Sequence, residues 1–192
     1  MPSTEKLGLN NPAMSRYTPF IDRILAADDL LEKLLPTEPG HAASLRAIRD
    51  ATDSDLAGEN PSADRDALAL VRAALLYAHD AIDEAHRIAQ DGTTGAASYL
   101  HGMIHRREGD FENARHWFRR AGRLGFFDDL HHAASNFSPD MAKQLNWDPY
   151  LFTGLCEQDK FGDRDHRSEL VALQRSEFTA FFDSVWRKLA GG

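Results

Sequence analysis

Apolar residues in this 192-residue chain recur at three- and four-residue spacings, and no sustained alternation of apolar and polar residues interrupts the pattern. Such spacings place side chains on one face of an α-helix, whereas a half-buried strand needs a period of two. The sequence therefore predicts an all-α fold. Helices are expected from Pro19 up to Pro36, from His41 to Ala51 and, near the C terminus, from Asp165 to Leu189.

The middle of the chain is predicted to contain antiparallel helical hairpins. Apolar stripes over Leu68–Ala78 and Ile82–Ala89 are separated by an expected bend at His79-Asp80. A second pair of helices is expected over Ala96–Arg107 and Phe111–Gly122, on either side of Gly109-Asp110. Glycine ends helices readily because it adopts the left-handed conformation at little cost.

One segment carries a repeat-like arrangement of small and large residues. Ser98–Arg123 reads SYLHGMIHRREGDFENARHWFRRAGR and resembles a tetratricopeptide repeat. Gly102 stands at the small position where two helices approach closely, and Phe111 follows the turn between them. The inner face of the second helix carries Ala114, Phe118 and Ala121. The resemblance covers about residues 66–123, with a weaker first copy that contains Ala73, Ile82 and Ala85, and implies close helix-to-helix packing at these positions.

Longer motifs resemble a bacterial and fungal family of tetratricopeptide-like proteins with the pattern HGxxHRREGDxxNA. These motifs are HDAIDEAH at 79–86, HGMIHRREGDFENARHWF at 101–118 and WDPYLF at 147–152. The resemblance implies the fold and supplies no activity. The helical spacing predicts a single all-helical domain over residues 17–192, and the polar residues 1–16, rich in Asn and Pro, are expected to form a flexible arm. Within the domain, the hairpins span about 66–123, a loop covers 53–66, and a helical extension covers 126–190.

Composition limits the partners that this chain is expected to bind. The formal net charge is −8, which argues against general nucleic-acid binding, because that binding depends on basic residues releasing counterions from phosphates. No window reaches the length of apolar residues that a membrane helix needs. Cys156 is the only cysteine, so an internal disulfide is excluded and a buried structural thiol is expected. Together these features predict a cytoplasmic protein.

Four histidines fall within the predicted hairpins: His79, His86, His101 and His105. In the repeat register, His101 and His105 occupy inward positions that usually carry apolar or aromatic residues. Their four-residue spacing places both rings on one helix face, which Glu108 continues. Two histidines spaced in this way can bind one divalent transition-metal ion such as Zn²⁺, with a third ligand from Glu108, His79 or His86.

Two other roles for these histidines are also compatible with their spacing. One is general acid/base catalysis by an imidazole that Glu108 or Asp80 tunes, in a pocket between hairpins. The other is purely structural, because buried imidazoles that donate to carbonyls or carboxylates would fix the contact between the hairpins.

Arginines are concentrated in the segment 105–123, which carries six of them against three acidic residues. A guanidinium group can hold a carboxylate or a phosphate through two parallel hydrogen bonds. The alternative is a solvated face with intrahelical ion pairs such as Glu112–Arg115. The candidates for an anion site are Arg106, Arg107, Arg115 and Arg119.

These features support two hypotheses for function. The first is a tetratricopeptide-like module whose groove binds a peptide, a protein or a small anionic ligand. The second is a small metal-dependent or histidine-based enzyme that uses His79, His86, His101 and His105, with Arg106 or Arg107 holding an anionic substrate. The second hypothesis requires the histidine rings to converge on one site.

Overall fold

The computed structural model describes residues 16–59, 64–162 and 167–190, and in these ranges the regular secondary structure is helical throughout. The predicted all-α fold is therefore confirmed. The helices are α1 (Pro19–Leu25), α2 (Ala42–Asp50), α3 (Asp53–Ala57), α4 (Arg65–Ala78), α5 (Ile82–Ala89), α6 (Gly95–Glu108), α7 (Phe111–Ala121), α8 (Phe127–Ala134), α9 (Pro139–Ala142), α10 (Pro149–Phe161) and α11 (Arg167–Leu189).

Local signals fix the ends of the central helices. The Thr94 side chain accepts a hydrogen bond from the backbone N–H of Ala97 and caps α6, and Asp110 caps α7 in the same way through Asn113. Such caps satisfy amide groups that have no partner within the helix. Gly109 ends α6 with a φ of 78°, a left-handed conformation that glycine adopts without steric cost. The tight turn that follows folds α7 back against α6.

The hairpins pack side by side, and a long C-terminal helix covers them. Helices α4 and α5 form one hairpin, α6 and α7 form the next, and α5 contacts α6 between them. Helix α11 packs against α4, α8 and α10, while α10 also contacts α7. This arrangement places α5 and α6 next to each other, and their shared surface carries the histidines considered below.

Close packing inside the second hairpin depends on Gly102. A Cβ atom at this position would lie 2.7 Å from both Cδ1 and Cε1 of Phe118, which is inside van der Waals contact. Phe118 is buried on α7 and stacks at a tilt on Tyr99, with ring centroids 4.9 Å apart. The small position that the sequence assigns to Gly102 is thus a close helix approach.

Two predicted segments differ from the structure. The helix that begins at Pro19 ends at Leu25 rather than continuing to Pro36, and Leu31 adopts a positive φ of 59°. Leu31 and Leu34 are nevertheless buried, so their apolar spacing reflects packing of an irregular segment rather than a helix. Within the predicted loop 53–66, residues Asp53–Ala57 form α3, which Thr52 and Asp55 stabilise by a capping box.

The remaining predicted boundaries agree closely with the helices, and the predicted bend at His79-Asp80 separates α4 from α5. Asp80 has a φ of 60°, which turns the chain between them. The predicted arm lies outside the described residues except for Arg16, which forms an ion pair with Asp183 of α11. The start of the last predicted helix, at 165–166, also lies outside them. In the described ranges, no helix combines the length and apolar character needed to cross a bilayer.

Candidate metal centre

The interface between α5 and α6 brings three histidines together. His86 projects from α5, and His101 and His105 project one turn apart from the facing side of α6. The rings of His101 and His105 stack with centroids 4.8 Å apart, and the His86 ring meets both edge-on at 4.6 and 4.7 Å. These three residues are called the histidine cluster below.

The ring nitrogens of the histidine cluster converge. One nitrogen from each of the three rings lies within 4.8 Å of the other two. Nε2 of His86 and Nε2 of His101 face each other at 2.8 Å. Two imidazole nitrogens at this distance share one hydrogen, so one ring donates and the other accepts.

Glu108 lies beside the cluster and contacts two of its rings. Its Oε1 accepts a hydrogen bond from Nδ1 of His86 at 2.7 Å. Its Oε2 lies 2.9 Å from Nδ1 of His105, an ion-pair contact whose angle does not satisfy a hydrogen bond. A carboxylate next to Nδ1 favours the tautomer with the proton on Nδ1 and leaves Nε2 with a free lone pair. Nε2 of His101 therefore donates to Nε2 of His86.

Burial and neighbouring groups set the charges of His101 and Glu108. Burial, followed by the neighbouring His86 and His105, lowers the pKa of His101 to about 4. Burial alone would raise the pKa of Glu108, but contacts with His105 and His86 hold it at about 2. At neutral pH His101 is therefore neutral and Glu108 is ionised. A neutral imidazole is the form that binds a metal ion.

Trp117 of α7 packs against the histidine cluster. The Trp117 ring stacks on His101 with centroids 3.9 Å apart, and the Arg120 guanidinium lies 5.0 Å from the centroid of the Trp117 ring. Nδ1 of His101 is buried without a hydrogen-bond partner. Trp117, which is itself only partly buried, thus covers one face of the His101 ring.

His79 does not join the other three histidines, which corrects its predicted place in the cluster. It ends α4, and its Nε2 donates a hydrogen bond to the backbone carbonyl of Ile24 at 3.0 Å. The His79 carbonyl in turn accepts from the amide of Gly40 at 2.9 Å. Burial lowers the pKa of His79. This histidine links the α4–α5 bend to the N-terminal segment and fits the structural role considered from the sequence.

Arg106 and Arg107 do not form the predicted anion site, because both side chains are buried and paired within the protein. Arg106 binds Glu177 of α11 through both terminal nitrogens. Arg107 pairs with Asp80 and donates to the backbone carbonyls of Tyr77 and Lys33, at 2.7 and 2.9 Å. Guanidinium groups that are 1% exposed and already paired with internal acceptors are not accessible to an external anion.

The other two arginines of the predicted anion site, Arg115 and Arg119, do not pair with residues of the histidine cluster. Arg115 pairs with Glu112, one turn earlier on α7, and with Glu157 of α10. Arg119 is exposed on α7. The predicted solvated face with intrahelical ion pairs describes Arg115 well, and the four arginines do not act as one anion-binding group.

Sequence reasoning missed the partners that neutralise the buried arginines. Glu177 accepts hydrogen bonds from Arg106 and from the Tyr99 hydroxyl, the latter at 2.8 Å, and the Trp147 indole donates to the Tyr99 hydroxyl at 2.7 Å. The one available signal was that Glu177 interrupts an apolar stripe of α11. Cys156 is the expected buried thiol, and burial raises its pKa to about 12.

The comparisons with known proteins give no relative. No family model matches the chain, and neither a curated protein nor a solved structure matches it significantly.

Proposed function

We propose that this protein binds one divalent transition-metal ion, with Zn²⁺ as the reference ion, through His86, His101 and His105. The observation that carries the proposal is the convergence of three ring nitrogens from two helices within 4.8 Å of one another. Histidine nitrogens favour Zn²⁺, Cu²⁺, Ni²⁺ and Fe²⁺ over Mg²⁺ and Ca²⁺, which prefer oxygen ligands.

The nitrogen separations suit a tetrahedral ion after small side-chain rotations. Bonds of about 2.0–2.1 Å in tetrahedral geometry place ligand nitrogens about 3.3 Å apart. The separation of 2.8 Å between the Nε2 atoms of His86 and His101 is shorter than this value. The widest separation in the cluster, 4.8 Å, is longer. An ion between the rings would replace the imidazole-to-imidazole hydrogen bond with two metal bonds, and the hydrogen on Nε2 of His101 would move to Nδ1 of the same ring, so that the imidazole stays neutral.

Glu108 supports the proposal as an outer-shell residue rather than as a ligand. Its two oxygens contact the Nδ1 atoms of His86 and His105. Metal-binding histidines commonly donate their second nitrogen to a carboxylate, which fixes the ring orientation and increases the basicity of the ligand. The sequence offered Glu108, His79 or His86 as the third ligand, and the proposal assigns that place to His86.

Calorimetry on protein without a histidine tag tests the proposal. After chelator treatment and dialysis, titration with ZnCl₂ is expected to give one ion per chain. His86→Ala is the variant of choice because this ring is the most exposed of the three, so its loss disturbs packing least. The affinity should fall by more than the about 10–100-fold that loss of an outer-shell partner costs.

His132→Ala provides the matched control, because His132 is an exposed histidine of α8 outside the cluster. It should bind Zn²⁺ like the wild type. Equal affinities for the His86→Ala and His132→Ala variants, or binding only at millimolar Zn²⁺, would remove the proposal.

A second candidate function, a tetratricopeptide-like module that binds a peptide, rests on a different surface. A groove of about 550 Å³ includes Phe118, Trp147, Leu145 and Tyr150 in its lining. Leu145 is 94% exposed and Tyr150 is 39% exposed, and exposed apolar residues along a groove are typical of protein interaction sites. A low-salt pull-down should recover a partner with the wild type and lose it with Leu145→Asp. If the wild type and the Leu145→Asp variant both recover only background proteins, this function is contradicted.

A further inference from the structure

The protein supplies three ligands to the proposed metal ion, one fewer than tetrahedral coordination requires. In the described ranges the cluster offers three ring nitrogens. Both oxygens of Glu108 are engaged with the Nδ1 atoms of His86 and His105. A tetrahedral ion bound by three histidines keeps one position for a ligand from outside the chain.

The side chains around the cluster differ in their exposure to solvent. His101 is 3% exposed and stacks on Trp117, and the side chain of His105 is 11% exposed. The side chains of His86 and Glu108 are 25% and 27% exposed. The more exposed side of the cluster is therefore that of His86 and Glu108, while Trp117 covers the ring of His101.

A purely structural metal site would have a different composition. Structural zinc sites are closed by four protein ligands, and cysteine is the most frequent of them. The single cysteine, Cys156, lies buried on α10 near Arg106 and Glu177 and contributes nothing to the histidine cluster. The hairpins that carry the cluster are also held together by an extensive apolar core, so the metal is not needed to hold them together.

We infer that the fourth position of this metal site is an exchangeable, solvent-facing one that holds water and accepts a small anion such as a carboxylate or azide. The inference rests on the proposed metal binding. Exchange replaces one metal–oxygen bond to water with one bond to the anion, and no group is oxidised or reduced. An open position of this kind is what hydrolytic metal sites use to hold the attacking water.

Cobalt(II) substitution tests the inference with a spectroscopic readout. Metal-free protein is loaded with one equivalent of CoCl₂, and binding is followed by the visible absorption of cobalt and by quenching of tryptophan fluorescence, to which Trp117 contributes together with Trp147 and Trp186. Titration with sodium azide should then change the cobalt absorption in a saturable manner. The same azide titration of CoCl₂ in buffer provides the reference spectrum, and His132→Ala should behave like the wild type.

The outcomes separate the two proposals. Cobalt that binds with the expected dependence on His86, but whose spectrum is unchanged up to high azide concentration, means a closed site; the inference is then wrong and metal binding stands. Failure of cobalt to bind, or equal binding to the His86→Ala variant, overturns both.

Discussion

At the scale of single residues, the least expected feature is the pair of adjacent arginines buried in the centre of the molecule. Arg106 and its partner Glu177 have side chains that are 1% and 0% exposed. The Arg106 guanidinium lies 4.2 Å from the centroid of the Phe152 ring, and Glu177 also accepts from Tyr99. Burial lowers the pKa of Arg106, but Glu177 reverses this and raises it above its usual value. The Arg106 guanidinium therefore stays charged inside the core, with Glu177 as its partner.

Removing one member of the Arg106–Glu177 ion pair should destabilise the fold. Glu177→Leu leaves the Arg106 charge buried without a partner, and we expect it to destabilise the protein by about 3–5 kcal/mol. The double variant Arg106→Met/Glu177→Leu removes both charges and should recover most of that loss. Urea unfolding followed by circular dichroism gives the free energies.

Asp128→Asn supplies the control for that experiment, because Asp128 and Arg123 form an exposed ion pair with side chains 72% and 56% accessible. Asp128→Asn should change the free energy of unfolding by less than about 1 kcal/mol. If Glu177→Leu unfolds at the same urea concentration as the wild type, the buried ion pair is not formed in solution.

At the scale of helices, Gly102 determines how closely α6 and α7 pack. A methyl group there would lie 2.7 Å from two atoms of the buried Phe118 ring. We expect Gly102→Ala to destabilise the protein by about 1–3 kcal/mol, because the overpacking outweighs the gain in helix propensity. Larger residues such as leucine should destabilise it at least as much. Differential scanning calorimetry measures the change.

Gly154→Ala in α10 is the matched helical control. A Cβ atom at Gly154 would meet nothing within 4 Å, so alanine should stabilise the helix by about 0.5–1 kcal/mol. We therefore expect Gly102→Ala to lower the free energy of unfolding and Gly154→Ala to raise it. An equal gain in stability at Gly102 would mean that α6 and α7 are further apart than described.

Helix boundaries also show what local sequence can predict. The caps Thr94 and Asp110 and the terminator Gly109 act on amides and carbonyls a few residues away, so the limits of α6 and α7 follow from the sequence. The segment after α1 does not, because Leu31 is buried in an irregular conformation that only distant contacts support. One such contact is the hydrogen bond from the Gln174 side chain of α11 to the Leu31 carbonyl, at 2.9 Å.

At the scale of the whole molecule, the buried histidines couple stability to pH. Burial lowers the pKa of His101 to about 4, and it lowers the pKa of His79 as well. In the unfolded chain both titrate near their ordinary value of about 6.5. Between these values the unfolded state binds more protons than the folded state, so stability is full above about pH 6.5 and declines as the pH falls towards 4. Glu108, with a pKa of about 2, adds to the loss only below about pH 4.5.

Urea unfolding of the metal-free protein in the presence of chelator, at pH 7.5 and pH 5, checks this dependence. We expect a loss on the order of 2 kcal/mol over that interval. His101→Gln should show a smaller loss, whereas His132→Ala should match the wild type. A stability that rises as the solution is acidified would contradict the burial of these imidazoles.

Several features of this protein follow from its sequence alone. The three- and four-residue spacing of apolar residues specifies helices, and the short turn after Glu108 pairs α6 with α7. The four-residue spacing of His101 and His105 also places their rings on one face of α6. All of these features depend on hydrogen bonds and sterics between residues close in the chain, so the sequence carries them explicitly.

Only the tertiary structure decides which groups complete the site and which charges are buried. His86 meets His101 because α5 packs on α6, while the bend at Asp80 directs His79 towards Ile24 instead. Arg106 is neutralised by Glu177, 71 residues later, rather than by an external anion. Contacts across such separations depend on how whole helices pack, and the free energy of burying a charge is known only once its partner is in place.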